Sequence, residues 1–169
     1  MAASSAVRHA RPEDAAEVVR LAELMYHSLG VAHPDAVWER WRGRAEEVVR
    51  GSLGDRLTAV VVDDPAVPGR LLACGAAIIV GRLPNPSHAD DRVAYIQWMS
   101  TDTAARRRGL GTAVLRGLLA WCAERGVDNV ELHASPDGAA LYRAAGFWEG
   151  STGRAMRRRP WDPPPASAP

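Results

Sequence analysis

The stretch that most restricts the fold is Val93-Ala94-Tyr95-Ile96-Gln97-Trp98-Met99, which is apolar on both alternating faces apart from Gln97. Side chains of a strand point alternately to opposite faces, so such a run is stable only where both faces are covered. It predicts a central strand with packing on both sides.

The rest of the chain supplies elements for that packing. An extended piece at residues 7–10 leads into Arg11-Pro12-Glu13-Asp14, where proline and acids mark a helix start. Val18, Leu21, Ala22, Met25 and Leu29 recur at helical spacing up to Gly30. Val37, Trp38, Trp41, Ala45, Val48 and Val49 form the apolar side of a second helix ending near Gly51. Two β-rich runs, residues 57–62 and 71–80, flank Asp63-Asp64-Pro65 and Pro68-Gly69 and read as a hairpin. A polar loop at 83–91 precedes the central strand. Beyond it, Leu110, Val114, Leu118, Trp121 and Cys122 make one helical stripe stopped by Gly126. A strand at 129–133 follows, then a short helix holding Leu141 and Tyr142, and a last extended piece beginning at Phe147. This order gives a mixed β-sheet flanked by helices, an α/β or α+β fold. One domain is expected over residues 1–161, with a Pro-rich disordered tail at 162–169.

Composition narrows the chemistry. The 169 residues are 47% hydrophobic and 24% charged, enough apolar matter for a real core. All 21 Lys-or-Arg positions are Arg, which excludes a Lys Schiff base and the Lys of a P-loop. Cationic work falls to guanidinium forks. A net charge of +1 argues against a nucleic-acid binder built on Arg106 to Arg108 and Arg157 to Arg159. Cys74 and Cys122 lie far apart inside apolar runs and read as small buried hydrophobes, with no metal site implied. No stretch approaches the roughly 18 apolar residues of a membrane span, and the start is not signal-like. The expectation is a soluble, cytoplasmic protein without a membrane partner.

The most informative segment is Arg106-Arg107-Arg108-Gly109-Leu110-Gly111-Thr112, where a strand and short loop give way to a periodic helix. The first helical turn carries backbone N–H groups without partners and a partial positive charge. Gly109 and Gly111 have no side chain to keep an anion from that backbone, and three Arg add donors. A phosphate or pyrophosphate is the expected ligand. The alternative is a helix start beside a solvated surface. A dinucleotide fingerprint does not fit, because the third Gly is missing.

The second segment is Ser135-Pro136-Asp137-Gly138-Ala139-Ala140-Leu141-Tyr142-Arg143-Ala144-Ala145-Gly146-Phe147. Ser135 is placed as an N-cap with Pro136 at the first helical position. Here the sequence resembles the GCN5-related N-acetyltransferase (GNAT) superfamily. In that family a helix opened by Arg/Gln-x-x-Gly-x-Gly/Ala holds the coenzyme A pyrophosphate, and a downstream Leu-Tyr-x-x-x-Gly-Phe supplies a Tyr near the sulfur. Arg106-x-x-Gly109-x-Gly111 and Leu141-Tyr142-x-x-x-Gly146-Phe147 both match, in the family's order. The resemblance is densest over residues 93–148.

The resemblance implies an acyl-CoA N-acyltransferase fold with a splayed parallel strand pair, and acetyl-CoA as cofactor. It places the pantetheine arm on the backbone at Met99 and Thr101 and the pyrophosphate on Arg107, Arg108, Gly109, Gly111 and Thr112. Arg106 takes the first motif position, and Tyr142 becomes the general acid to the leaving thiolate. A phenol with a reference pKa near 10 suits that task. Many family members have Asn where Ser135 stands, so a pantetheine contact from this position is lost or shortened. Glu131 and His133, on one face of a strand, are candidate bases for the acceptor amine, as are His88, Asp90 and Asp91. Gln97 is a candidate acceptor contact. The acceptor side implied by the family comprises Tyr26, His27, His33, Trp38, Trp41 and the 83–91 loop, for a small-molecule or peptide amine. A homodimer is common in the family. The implied function is acetyl-CoA-dependent N-acetyl transfer, with a non-catalytic acyl-CoA sensor or scaffold as the alternative.

Overall fold

A computed structural model of the protein describes residues 7–86 and 88–149. The tail at 162–169, the triplet Arg157 to Arg159 and the continuation of the last extended piece lie outside the described residues. Within them, residues 147–149 join no strand.

In chain order the elements are β1 (Val7–His9), α1 (Ala15–Ser28), α2 (Asp35–Ser52), β2 (Leu57–Asp63), β3 (Leu71–Gly81), β4 (Arg92–Thr101), α3 (Leu110–Glu124), β5 (Val130–Leu132) and α4 (Ala139–Ala144). A 3₁₀ turn, Pro12–Asp14, leads into α1, and Gly30, at φ +75°, follows its C-terminal turn. Arg8 ties the chain start to both Asp14 (2.7 Å) and Asp63 (2.6 Å), so β1, the turn and β2 share one ion pair network.

Among the described residues the sheet has the order β1-β2-β3-β4-β5, with antiparallel neighbours except for the parallel pair β4–β5. It is a mixed sheet covered on both faces. On one face Ala94 and Ile96 of β4 pack with Val114, Leu115 and Leu118 of α3. On the other, Ala59, Val61 and Cys74 pack with Val18 and Leu21 of α1 and Val49 of α2, and Trp98 closes against that cluster. The two-faced apolar run is therefore a strand interior to the sheet. Cys74 and Cys122 are both free and buried. No described helix is long and apolar enough to cross a membrane.

Pairing of β3 with β4 slips between Ala76↔Gln97 and Cys74↔Ser100, so β4 carries an extra residue there. This is a β-bulge, and it puts Trp98 at φ +58°, a conformation rare for so bulky a side chain. Gly75 lies opposite. A Cβ at Gly75 would run into Met99 Sδ and stand 2.9 Å from Val114 Cγ1, so the absent side chain is the space that Met99 fills.

Two glycine substitutions are expected to move stability in opposite directions. Gly75→Ala overpacks the bulge against the stiff Val114 and lowers unfolding free energy by about 1–3 kcal/mol. Gly43→Ala, within α2 and with open space around the new methyl, raises it by about 0.5–1 kcal/mol. Denaturant midpoints with unchanged slopes are the readout.

Candidate active site

The site begins where β4 and β5 part. Their pairing runs only through Ala94↔Val130, Tyr95↔Glu131 and Ile96↔Leu132, whereas β4 continues to Thr101. Asp102 N–H donates to Leu72 O at 2.8 Å on the β3 side. Alternation then turns the backbones of Thr101 and Met99 toward the edge that β5 has left. Thr101 O accepts a bond from Arg106 Nε at 3.3 Å.

Asp102 fixes this end of the strand. Its carboxylate is largely buried, accepts from Ala104 N–H at 3.3 Å, and pairs with Arg70 (3.0 Å) and Arg20 (3.3 Å). Arg20 in turn pairs with Glu17 at 2.7 Å and donates to Leu71 O at 2.9 Å. The Arg70 guanidinium, above all, holds the Asp102 carboxyl below the usual carboxylate range, against a desolvation that acts the other way; the Ala104 N–H and Arg20 assist.

The loop that follows is left-handed at Arg107 (φ +63°) and at Gly109 (φ +77°). Gly109 is the N-cap of α3 and brings no capping side chain, so the N–H groups of the first turn meet no side-chain acceptor. Helix α3 starts at Leu110, a residue after Gly109, and the three Arg belong to the exposed loop before it. Among the described residues, neither Arg107 nor Arg108 has an ion-pair partner. A Cβ on Gly109 would meet nothing within 4 Å, and one on Gly111 would stand 3.6 Å from Leu141 and 3.9 Å from Thr101. Gly111 is thus where the open edge of β4, the start of α3 and helix α4 come together, with Thr112 on the same helical turn.

Ser135 caps differently from the sequence expectation. Its Oγ accepts from Gly138 N–H at 3.2 Å within a turn, and the helix itself opens only at Ala139, so Pro136 belongs to the turn. Gly138 separates Ser135 from Tyr142: a Cβ there would lie 3.2 Å from Ser135 Oγ and 3.1 Å from the Tyr142 ring. Tyr142 is buried, its ring edge-on to Phe147 at 6.0 Å, and burial pushes its phenol pKa up. Among the described residues its hydroxyl has no hydrogen-bond partner.

The candidate bases are less free than the sequence suggests. Glu131 and His133 do share the face of β5 that carries Tyr95 of β4. However, Arg82 pairs with Glu131 Oε1, on which Asn129 also converges at 3.5 Å, and His133 Nδ1 is hydrogen-bonded to the Tyr95 hydroxyl. Asp90 pairs with Arg92 at 3.2 Å, while at His88 it is the backbone N–H, not the imidazole, that donates to Asn85 Oδ1 at 3.1 Å. Gln97 lies at the bulge, beside Trp98. Of the acceptor-side residues, Tyr26, His33, Trp38 and Trp41 line one groove between α1 and α2, and the His27 ring meets Trp38 at a tilt of 48°, 4.8 Å away. Sequence reasoning missed Asp102, Tyr95 and Trp98; an Asp just ahead of Thr103-Ala104-Ala105 was a capping signal that could have singled out the first.

The profile of the Acetyltransferase (GNAT) family matches residues 18–147. The chain belongs to this family. Its members take their acetyl group from acetyl-CoA. Two rice (Oryza sativa subsp. japonica) proteins are related in sequence. "Probable glucosamine 6-phosphate N-acetyltransferase 2" is 34% identical over 58% of this chain and 58% of its own length. "Glucosamine 6-phosphate N-acetyltransferase 1" is 33% identical over 69% of this chain and 67% of its own. The chain thus spans well under two thirds of the first of these relatives. A predicted acetyltransferase from Clostridium acetobutylicum, solved with acetyl-CoA, shares the fold at TM-score 0.75 and 19% identity, over 90% of this chain and 95% of that one.

The residues present fit coenzyme A. A first helical turn without a side-chain cap, Arg107 and Arg108 without ion pairs among the described residues, and open space at Gly109 and Gly111 suit a pyrophosphate, and the β4 edge beyond its pairing with β5 suits an amide-bearing arm.

Asp102→Asn tests the anchor. Because the folded carboxyl titrates below its unfolded value, near 3.9, its contribution is present above that pH and disappears as pH falls through the folded value. The variant is expected to melt lower than the parent at pH 7, with the difference shrinking below about pH 4, as read by thermal unfolding at several pH values.

Proposed function

We propose that the protein is an acetyl-CoA-dependent N-acetyltransferase that acetylates a primary amine of a small acceptor directly. The observation that carries this reading is the convergence at Gly111 of the free β4 edge, the uncapped start of α3, and the helix that bears Tyr142.

When bound, acetyl-CoA supplies an activated acetyl thioester whose leaving group is a thiolate. Arg106, Arg107, Arg108 and the N–H groups of Gly109, Gly111 and Thr112 would hold the pyrophosphate by charge-assisted bonds. The backbones of Met99 and Thr101 would pair with the pantetheine amides as a further strand does, with Arg106 Nε yielding its bond to Thr101 O. Ser135, its hydroxyl engaged with Gly138 N–H, orients the turn that brings Tyr142 to the site. Burial raises the Tyr142 pKa, so the phenol keeps its proton at neutral pH, and its hydroxyl, without a hydrogen-bond partner among the described residues, would donate that proton to the leaving thiolate of bound acetyl-CoA. Glu131 and His133 lie beside the opening as acceptors for the proton of the ammonium. The names of the rice relatives make glucosamine 6-phosphate one acceptor to assay.

Acetyl-CoA is expected to raise the melting temperature, and Gly111→Trp to abolish that rise by filling the cradle. Tyr142→Phe should lower kcat by about 10²-fold or more while leaving the acetyl-CoA thermal shift in place. The absence of any shift with acetyl-CoA would sink the reading. Glu131→Gln tests the first base candidate: a loss of about 10²-fold in kcat assigns the base to Glu131, and a change within threefold removes Glu131 from that role.

A further inference from the structure

The groove between α1 and α2 is walled mainly by aromatic rings. It measures about 220 Å³ and is lined by Tyr26, Val31, His33, Val37, Trp38 and Trp41. Three of its rings stand at steep mutual angles: Tyr26 and Trp41 at 5.6 Å and 89°, Trp38 and Trp41 at 5.5 Å and 85°, Tyr26 and Trp38 at 6.3 Å and 47°. Such rings close-packed for stability alone would leave no room between them. Here they wall a space smaller than a drug-sized pocket and large enough for a small ring system.

The groove is joined to the transfer site. The Tyr26 hydroxyl accepts from Trp98 Nε1 at 3.2 Å, and the Trp41 and Trp98 rings meet edge-on at 6.0 Å. Trp98 is the residue at the β4 bulge, directly before Met99. A molecule seated among the rings is thus separated by the Trp98 ring from the strand edge assigned to the acyl arm.

Charge decides what kind of molecule fits. None of the six lining residues is an Arg, Asp or Glu, and their polar side-chain groups are the Tyr26 hydroxyl, the His33 imidazole and the indole N–H groups. Arg42, on the same helix as Trp38 and Trp41, is already paired through two bonds to Glu23, at 2.7 and 3.0 Å, and His27 points at the same carboxylate at 3.4 Å. Across the sheet face, Arg82 is taken by Glu131 and Arg92 by Asp90. A sugar phosphate needs unpaired charge-assisted donors and partners for several hydroxyls. An apolar ring needs only the faces and edges of other rings.

Resting on the proposed transferase reading, we infer that the acceptor is a primary amine carried on a small aromatic or apolar ring, with the ring held between Tyr26, Trp38 and Trp41. The amine then projects toward the β4 bulge. The class excludes phosphorylated amino sugars, in contrast to the substrate in the rice relatives' names.

The test uses the full chain in two arms. The first measures thiol release from acetyl-CoA with phenethylamine, tryptamine, butylamine and glucosamine 6-phosphate. The two arylalkylamines should exceed butylamine and the sugar phosphate by about tenfold or more in kcat/KM. The second measures binding of the same amines by calorimetry in the presence of coenzyme A, which needs no turnover. Trp41→Ala should raise KM and Kd for the arylalkylamines about tenfold while leaving the acetyl-CoA thermal shift unchanged. Val37→Arg, at the half-buried rim, blocks the groove without removing a core ring and should act alike. Arylalkylamine binding without thiol release would uphold the groove and overturn the transferase reading. A higher kcat/KM for glucosamine 6-phosphate, or equal binding of all four amines, would overturn the inference. So would a dimer that Val37→Arg splits into monomers together with no amine binding, since the occupant would then be a second copy.

Discussion

β4 parts from β5 after Leu132, and the chemistry of the site follows from the backbone this exposes. A strand interior to a sheet is normally satisfied along both edges, and leaving one edge open is tolerated only where another partner or water takes the bonds. Two devices hold β4 in place while its neighbour turns away. The bulge at Trp98 sets the twist and sends Trp98 to one face and Met99 to the other. The Asp102 carboxylate, gripped by Arg70 and Arg20, then fastens the strand's last turn to β3 and α1. The open edge is therefore rigid, which is what recognition through backbone bonds requires.

The distribution of Arg partners divides the molecule by task. Guanidiniums that brace the fold face carboxylates: Arg8 with Asp14 and Asp63, Arg20 with Glu17, Arg42 with Glu23. Those at the start of α3 project from a left-handed loop without such partners among the described residues. Arg11, Arg40, Arg56 and Arg116 likewise pair with no described carboxylate, so what sets Arg107 and Arg108 apart is their place beside an uncapped helix start, where an anion gains most from positive charge. The groove between α1 and α2 is lined by rings and valines instead of guanidiniums, so the two ends of the cleft present contrasting chemistry.

Much of this was legible from pattern. The two-faced apolar run became an interior strand, the stripe from Leu110 to Cys122 became α3, and the two motif segments meet at Gly111 as their order implied. What stayed hidden were features without a local signature. A Trp at positive φ contradicts its own conformational preference, and only the pairing slip with β3 reveals it. The Glu131–Arg82 and Tyr95–His133 contacts join residues 49 and 38 positions apart, brought together by sheet registry alone. Ser135 followed by Pro136 reads as a helix start, yet the two bonds it accepts from Gly138 close a turn first, and Gly138 rather than Ser135 precedes the helix.

Cys74 has a further consequence. Its thiol lies in the floor of the sheet and donates to Trp98 O at 3.5 Å, close to the strand edge assigned to the acyl arm. A sulfur in that neighbourhood invites transthioesterification, in which the protein itself would carry the acyl group. Burial forbids it: the side chain is fully enclosed and its pKa is pushed up to about 12, so the thiol stays protonated at neutral pH. Cys122, the chain's other cysteine, is likewise buried and pushed up to about 11. The fold thus places a thiol under the strand while withholding its nucleophilicity, and leaves the incoming amine without a covalent competitor from cysteine.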